Sequence, residues 1–362
     1  MYSRFSSVLV ILLLAILLIQ NPVIHAGSAT RTFIDMIGRK VTVPEPLTRV
    51  ALLGGPTGQV AYILGARSQL CAVTKSLKSS ELVNMMDPTV KNLVAPRSVS
   101  GQVNVEELIV ADPQVVIAGD LDGSIVEKKT RIPVAYLRSD MNQSMDMLKE
   151  EIRFYGTVFH KESRAEKYVQ YLQKTVDLIK SRTKDIPETK RKLVFNGYSS
   201  NHLVTLGGDT FMHRQMEIAG CRNASARILS AGMKEGLHTG LAEVSMEKVL
   251  EWDPEILIID FGTPSDLYND AKWKSIRAVK NKMVFRQPVG IFIWDRPTAE
   301  SAVLHPLWLA KLAYPERFPD INLASEIKAF YREIMDFKLA EEQAQAVLSA
   351  KYTLNLFSGQ GK

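Results

Sequence analysis

Cysteine is nearly absent from this chain, because only Cys71 and Cys221 occur among its 362 residues. Two cysteines so far apart cannot form the disulfide framework of a small secreted protein, and we expect no bond between them. The sequence also lacks a Gly-x-x-x-x-Gly-Lys-Ser/Thr nucleotide loop and any paired cysteine ligands. No nucleophile, base and orienting acid stand in a recognised spacing. These absences argue against an enzyme, including a nitrogenase-like metal-handling α/β protein, and predict no resident cofactor.

Clusters of metal-binding or basic residues are missing as well. The six histidines show no dense spacing such as His-x-x-x-His, which disfavours a histidine-rich metal site. His238 is the exception to test, because the segment 236–240 should form a loop at the edge of a cleft. Lysine and arginine give a net charge of +6 but are dispersed along the chain. That distribution argues against nucleic-acid binding and is compatible with an anionic ligand.

No hydrophobic run near the N-terminus is long enough to be read first as a membrane span. The run from Val8 to Ile19 follows Arg4 and is shorter than the roughly 20 apolar residues needed to cross a bilayer. This order predicts a signal peptide over residues 1–26 with cleavage after Ala26. An uncleaved anchor is the alternative. No cysteine near Ala26 offers a site for a lipid, so we expect a free periplasmic protein.

What the sequence does contain is an alternation of short apolar strands and helices. An opening hairpin is predicted within 32–43, and a long amphipathic helix is indicated by apolar residues at spacings of three and four from Ala165 to Ile179. The pattern predicts an α/β fold with two lobes, each a mainly parallel sheet covered by helices, joined by one long backbone helix. The predicted units are an N-terminal lobe over 27–155, a connecting helix over 156–186, a C-terminal lobe over 187–340 and a tail over 341–362.

An internal repeat supports the division into two lobes. The segment Asn104 to Ile117 matches the segment Ser245 to Ile258, which lies 141 residues further along. Each segment reads as an N-capped helix, an Asp-Pro stop and a buried strand. Glu106 in the first segment corresponds to Glu247 in the second.

These repeated units, the opening hairpin and the tract 154–184 together resemble the class III periplasmic binding proteins of ABC importers. The resemblance runs from about Arg31 to Lys338, and Trp294-Asp295-Arg296-Pro297 followed by a helix is similar to the C-terminal part of iron-complex and molybdate-type members. It implies two lobes facing across a cleft, with a rigid connecting helix that limits closure to a modest rotation. It also implies a protein, here expected to be a monomer, that delivers a small molecule to a membrane permease and its ATPase.

The resemblance further implies that one glutamate on each lobe forms salt bridges with permease arginines. Glu106 and Glu247 are the matching residues. The alternative is that each simply complements the dipole of its helix from the first turn.

Candidate ligand-binding residues follow the predicted strands, because ligands of open α/β sheets bind beyond the carboxyl ends of the strands. In the N-terminal lobe these candidates are Thr57, Lys75, Arg97 and Asp120. Lys75 and Arg97 can neutralise an acidic ligand, although either is more often a solvated surface charge.

In the C-terminal lobe the candidates are Tyr198, His238, Phe292, Trp294 and Arg296. The two aromatic rings of the segment 287–297 can pack on a catecholate, porphyrin or corrin, and Arg296 can bind a carboxylate or oxoanion through two hydrogen bonds. Alternatively, Asp295 and Arg296 form a local ion pair that holds the loop.

The favoured ligand is an iron(III) chelate of the siderophore type. Molybdate or tungstate is the nearest alternative and requires a compact cradle of amides and cations. Haem would need an axial ligand such as Tyr198 or His238, and cobalamin also remains open. A periplasmic ligand sensor would use the same cleft.

Overall fold

The computed structural model describes residues 29–54, 58–97, 101–138, 144–230 and 240–352. The predicted signal peptide and the candidate residues Thr57 and His238 lie outside these ranges. The first described element is the expected antiparallel hairpin of β1 (Thr30–Ile34) and β2 (Lys40–Pro44). Gly38, with φ +87°, lies in the connecting turn, where a residue with a side chain would be strained.

The N-terminal lobe contains a five-stranded parallel sheet in the order β5-β4-β3-β6-β7. Its strands are β3 (Val50–Leu52), β4 (Leu70–Thr74), β5 (Val94–Arg97), β6 (Val115–Ala118) and β7 (Val134–Tyr136). The surrounding helices are α1 (Gly58–Ile63), α2 (Lys75–Lys78), α3 (Glu81–Met86), α4 (Val105–Val110) and α5 (Asp120–Lys129). Strand β5 was not predicted because Pro96 interrupts its pattern, and its position at the edge of the sheet is where proline is tolerated.

Two helices, rather than one, occupy the predicted connecting tract. Helix α6 (Met145–Phe159) ends at His160, which adopts the left-handed conformation with φ +53°, and α7 (Glu162–Thr183) follows. The tract expected to be one helix over 156–186 is therefore divided at this point. Helix α7 contacts elements before and after it, because Arg164 donates to the carbonyls of Ile63 (3.0 Å) and Ile334 (2.9 Å).

The C-terminal lobe has a four-stranded parallel sheet in the order β10-β8-β12-β13, with a small antiparallel pair of β9 and β11 beside it. Its strands are β8 (Leu193–Gly197), β9 (Val204–Leu206), β10 (Arg222–Asn223), β11 (Leu241–Glu243), β12 (Ile256–Ile259) and β13 (Val284–Arg286). The helices from this point to the end of the described chain are α8 (Phe211–Ile218), α9 (Met246–Trp252), α10 (Pro264–Asn269), α11 (Arg277–Lys280), α12 (Ala299–Ala313), α13 (Leu323–Ile334) and α14 (Glu341–Leu348). Helix α14 falls within the predicted C-terminal tail.

Each parallel sheet is buried on both faces, as expected of an α/β fold. One face of both sheets packs into a shared core that also contains Tyr168 of α7 and Trp308 of α12. The opposite faces have separate clusters, around Ala51 and Val116 in the N-terminal lobe and around Phe195 and Leu257 in the C-terminal lobe. The α/β fold with two lobes is confirmed.

The internal repeat is visible in the backbone. Asp112 (φ 45°) and Asp253 (φ 43°) both take the left-handed conformation at the end of the repeated helix, which is uncommon for residues other than glycine. The strands that follow, β6 and β12, both lie inside their sheets between two parallel neighbours. The two units therefore share local conformation as well as sequence pattern.

Three further features concern the molecule as a whole. Cys71 and Cys221 are both free and buried. Within the described ranges, no group of three or more His, Cys, Asp or Glu side chains is placed to hold a metal ion. No helix in those ranges has the length and apolar character required to cross a membrane.

Candidate ligand-binding site

Polar side chains gather at the carboxyl ends of the C-terminal parallel strands. Ile259 of β12 pairs with Gly197 of β8 on one side and with Arg286 of β13 on the other. Tyr198 and Asp260 come directly after their strands and are buried. The register of the sheet therefore places a tyrosine, a carboxyl group and a guanidinium side by side.

The segment after β13 adds an ion pair to this edge. Arg296 binds the Asp295 carboxylate through two bonds, from Nε to Oδ1 at 2.7 Å and from Nη2 to Oδ2 at 3.1 Å. The Asp295 side chain is only 5% exposed and that of Arg296 is 20% exposed. Arg296 also donates a hydrogen bond to the Tyr198 hydroxyl. The local ion pair considered from the sequence is present, and we call the group Tyr198, Asp260, Arg286, Asp295 and Arg296 the C-lobe cluster.

The environment of Asp260 disfavours the charged form of its carboxyl group. Burial, followed by the nearby Asp295 carboxylate, raises the pKa of Asp260 well above its usual range. Its Oδ2 atom has no hydrogen-bond partner among the described residues. Burial also raises the pKa of the Tyr198 hydroxyl. The C-lobe cluster therefore combines two guanidinium groups and the Tyr198 hydroxyl with the Asp295 carboxylate and with a second carboxyl group, that of Asp260, whose charged form is disfavoured.

Arg286 is the half-buried cation of the cluster. Its Nη1 atom donates to the Ile259 carbonyl at 3.3 Å, and its guanidinium lies 6.0 Å from the centre of the Phe261 ring. Burial lowers the pKa of Arg286, opposed by the attraction of Asp260 and Asp295. An arginine remains protonated under such a shift, because its ordinary pKa is above 12.

Of the residues predicted from the sequence, Tyr198 and Arg296 lie together in the C-lobe cluster. Lys75 and Asp120 are exposed at the carboxyl ends of β4 and β6 in the other lobe. Arg97 is half-buried and bound to the buried Asp122 carboxylate, whose other oxygen accepts the Val103 amide at 3.0 Å. That ion pair connects the end of β5 with α5.

Phe292 and Trp294 are each only 1% exposed and belong to the shared hydrophobic core. In this structure neither ring offers a face to a ligand. Aromatic residues beside a glycine turn suit either a cleft or a core, and the sequence pattern does not distinguish these two locations.

Sequence reasoning did not select Asp260 and Arg286. Asp260 is the residue next to the end of β12, and Arg286 is the last residue of β13. Ligands of such sheets bind at the carboxyl ends of the parallel strands. This rule identifies Asp260 and Arg286 only if the last residue of each strand is known.

The segment that carries Asp295 and Arg296 is attached to the N-terminal lobe at Ile291. The Ser80 hydroxyl donates to the Ile291 carbonyl at 2.9 Å, and the Ile291 amide donates to Glu300 at 2.9 Å. Glu300 in turn exchanges two hydrogen bonds with Gln59 of α1, since its amide donates to Gln59 Oε1 at 2.9 Å and Gln59 Nε2 donates to its carboxylate at 3.3 Å. We call these four residues the inter-lobe contact.

The two glutamates suggested for docking are exposed in the first turns of equivalent helices. Glu106 lies in α4, whose N-cap is Asn104, and Glu247 lies in α9, whose N-cap is Ser245. A backbone amide and the Ser245 hydroxyl hold the pKa of Glu247 below its usual range. Their role in docking stays a prediction.

A fold of two α/β lobes, with a polar cluster at the strand ends of one lobe and hydrogen bonds linking both lobes, defines a two-lobed binding protein. The sequence matches the family model described as periplasmic binding protein over residues 50–288. The chain belongs to this family. Its structural relatives are class III periplasmic binding proteins. This confirms the resemblance inferred from the repeat and the order of elements. The family consists of substrate-binding proteins of transport systems.

Two relatives match most of the chain. It is 28% identical to the molybdate-binding protein MolA of Haemophilus influenzae over 330 residues, covering 84% of this chain and 91% of that protein. The structure of MolA bound to molybdate matches with a TM-score of 0.72 and 26% identity, covering 86% of this chain and 99% of that one. An ABC transporter solute-binding protein from Sulfurospirillum deleyianum matches with a TM-score of 0.73 and 26% identity, covering 88% and 98%.

Proposed function

We propose that this chain is the substrate-binding component of an ABC importer and that it captures a tetrahedral oxoanion of the molybdate and tungstate class. The observation that carries the proposal is the C-lobe cluster itself, in which two guanidinium groups and the Tyr198 hydroxyl lie together at the carboxyl ends of adjacent parallel strands. The similarity to a protein named as molybdate-binding supports the same ligand class.

The hydrogen-bonding groups of the cluster also suit an oxoanion. The guanidinium groups and the Tyr198 hydroxyl are hydrogen-bond donors, and the raised pKa of Asp260 reduces the repulsion that a second carboxylate would exert on an anion. Preorganised donors and arginine side chains are the usual means of holding an oxoanion in a partly dehydrated site. The burial of Phe292 and Trp294 removes the large aromatic faces that would favour a porphyrin or corrin.

An iron(III) chelate is the second candidate, as favoured from the sequence alone. The exposed Lys75 supports it, because a cation at the strand ends of the N-terminal lobe can extend the positive surface toward a larger acidic ligand. In either case the ligand is passed to a membrane permease driven by an ATPase, and the protein is exported to the periplasm.

Calorimetric titration of the purified protein with molybdate, tungstate, sulfate and a ferric catecholate complex tests the ligand assignment. We expect saturable binding of molybdate or tungstate, and Arg286→Gln should weaken it by tenfold or more through loss of a charged hydrogen-bond donor. Arg332→Gln is the matched control, because Arg332 is an exposed arginine that lies outside the C-lobe cluster and pairs with its neighbour Glu333.

Binding of the ferric complex without any oxoanion binding would replace the first candidate by the second. Retention of haem or cobalamin by protein isolated from its own periplasm would contradict both. A third outcome would indicate a ligand sensor. In that case the purified protein binds the oxoanion, but cells that lack the protein still take up the oxoanion at the normal rate.

A further inference from the structure

The repeated helices α4 and α9 share an exposed apolar position in addition to their glutamates. Ile109 of α4 is 54% exposed, and Leu250 of α9, at the equivalent position of the repeat, is 41% exposed. Each lies three residues after the glutamate, and residues at that spacing share one face of a helix. Glu106 with Ile109 and Glu247 with Leu250 therefore form two similar patches, each a carboxylate beside an aliphatic side chain.

The orientation of these helices is fixed, so the exposure of both apolar residues belongs to the fold. Leu108 and Val249 occupy equivalent positions and are fully buried, which turns the residues next to them outward. At the helix ends, Arg49 Nε donates to the Asp112 carbonyl at 2.8 Å and Arg277 Nη2 donates to the Asp253 carbonyl at 2.9 Å. Two helices with different sequences thus present the same arrangement to solvent.

Both repeated helices carry exposed aliphatic side chains. Eight large hydrophobic residues are exposed within the described ranges, and three of them, Ile109, Val110 and Leu250, lie on α4 or α9. A single exposed leucine on a protein surface needs no explanation. Recurrence at the same position of both repeats, beside an acidic residue each time, indicates a contact surface.

We propose that Ile109 and Leu250 are the apolar anchors of the surface that docks on the membrane permease, with Glu106 and Glu247 supplying the complementary charge. This proposal rests on the transport role proposed above. The partner surface it requires has two similar sites, each with a cationic side chain next to an apolar depression. Burial of the aliphatic groups would supply affinity, while the carboxylates would set orientation.

The permease can be identified by photocrosslinking in living cells of the natural producer. Benzoylphenylalanine is installed in place of Ile109 or Leu250 in the full chain, and crosslinked partners are identified by peptide mass. We expect an integral-membrane permease subunit from both positions. Ile34, which is 53% exposed on the hairpin, is the matched control and should give no such product. The absence of a permease crosslink from both 109 and 250 would overturn the proposal.

The energetic role is measured with that permease and its ATPase in proteoliposomes. Ile109→Ser and Leu250→Ser should each raise the concentration of binding protein that half-saturates the stimulated ATPase by about tenfold, from the apolar area that each change removes. Ile34→Ser should leave it within about twofold on the same basis. Unchanged half-saturation in both variants would refute the assignment.

Calorimetric titration of the same variants with molybdate separates the two proposals. Ile109→Ser and Leu250→Ser should bind molybdate as the original protein does, because neither residue belongs to the C-lobe cluster. Weak docking with intact molybdate binding supports the anchors. Absence of both molybdate and tungstate binding in the original protein would reject the ligand assignment without affecting the crosslinking result.

Discussion

Glu300 is a fully buried carboxyl group at the junction of three parts of the molecule. It accepts hydrogen bonds from Gln59 of α1, from the Ile291 amide and from the Tyr331 hydroxyl of α13. Burial raises the pKa of Glu300 to about 7, although the donors around it favour the charged form. Gly290 leaves it room, because a Cβ atom at this glycine would lie 1.8 Å from Glu300 Oε1.

The pKa of Glu300 predicts a pH-dependent stability. Its ordinary value is 4.5, so the folded protein binds this proton more tightly than the unfolded chain does. The contribution to stability is therefore complete below about pH 4.5 and is lost as the pH rises through about 7. A pKa shift of this size corresponds to a change of about 3 to 4 kcal/mol at most in the free energy of unfolding.

Urea unfolding at pH 5 and pH 8 measures this effect. The free energy of unfolding of the original protein should fall between these pH values by more than that of Glu300→Gln, which cannot ionise. Glu316→Gln, at an exposed carboxyl, should behave as the original protein does. Equal pH dependence in the original protein and Glu300→Gln would show that Glu300 does not titrate in this range.

At the scale of elements, the caps of the repeated helices determine where α4 and α9 begin. The Asn104 side chain accepts the amides of Glu106 (3.0 Å) and Glu107 (3.2 Å), and the Ser245 hydroxyl accepts that of Lys248 (3.2 Å). Each cap side chain accepts hydrogen bonds from backbone amides in the first turn of the helix, which have no partner within the helix. Both caps were recognisable in the sequence because Asn and Ser precede the apolar periodicity.

Removal of either cap should therefore destabilise the protein to a similar extent. Asn104→Ala and Ser245→Ala should each lower the free energy of unfolding by about 1 kcal/mol, as measured in urea. Ser265→Ala, at an exposed position of α10 that is not its N-cap, should change it by less than half of that amount. A cap variant that unfolds at the same urea concentration as the original protein would contradict this account.

The elements differ in how far their sequences predict them. Strands β6 and β12 were predictable because uninterrupted apolar residues follow an Asp-Pro stop. The division between α6 and α7 was not, since His160 ends α6 by adopting a conformation usually taken by glycine, and apolar spacing continues on both sides. Strand β10 has only two residues, which is too short to produce an alternating pattern.

At the scale of the whole molecule, the two thiols report on the integrity of both lobes. Cys71 lies in β4 and Cys221 lies just before β10, and burial raises the thiol pKa values to about 11 and about 12. The reactive form of cysteine is the thiolate, which is scarce at such values. Their separation in different lobes was predictable, and the absence of a bond between them agrees with that expectation.

In the folded protein at pH 8, neither thiol should therefore react with Ellman's reagent. The reaction time is the one that suffices to label both thiols when the protein is unfolded in guanidinium chloride. We expect two equivalents of the thionitrobenzoate product to be released per protein molecule, and only after unfolding. Rapid release of one equivalent from the folded protein would show that one lobe opens locally, and single-cysteine variants would identify it.

The architecture was predictable as a whole, whereas the composition of the site was only partly so. Tyr198 and Arg296 followed from the rule for strand ends, but the pairing of Arg296 with Asp295 and the raised pKa of Asp260 depend on burial. Burial is a property of the assembled lobes. The placement of Phe292 and Trp294 in the shared core likewise depends on tertiary packing, which local spacing does not encode.

The segment 289–296 has one end fixed by both lobes and the other end carrying the charged pair. Ile291 is held by Ser80 and Glu300, whereas Asp295 and Arg296 project to the strand ends five residues or fewer away. Selection can therefore act on the two ends separately. On the proposed ligand site, exchange of residues 286, 295 and 296 would change the ligand that is bound, while the anchored half would preserve the hydrogen bonds that join the lobes.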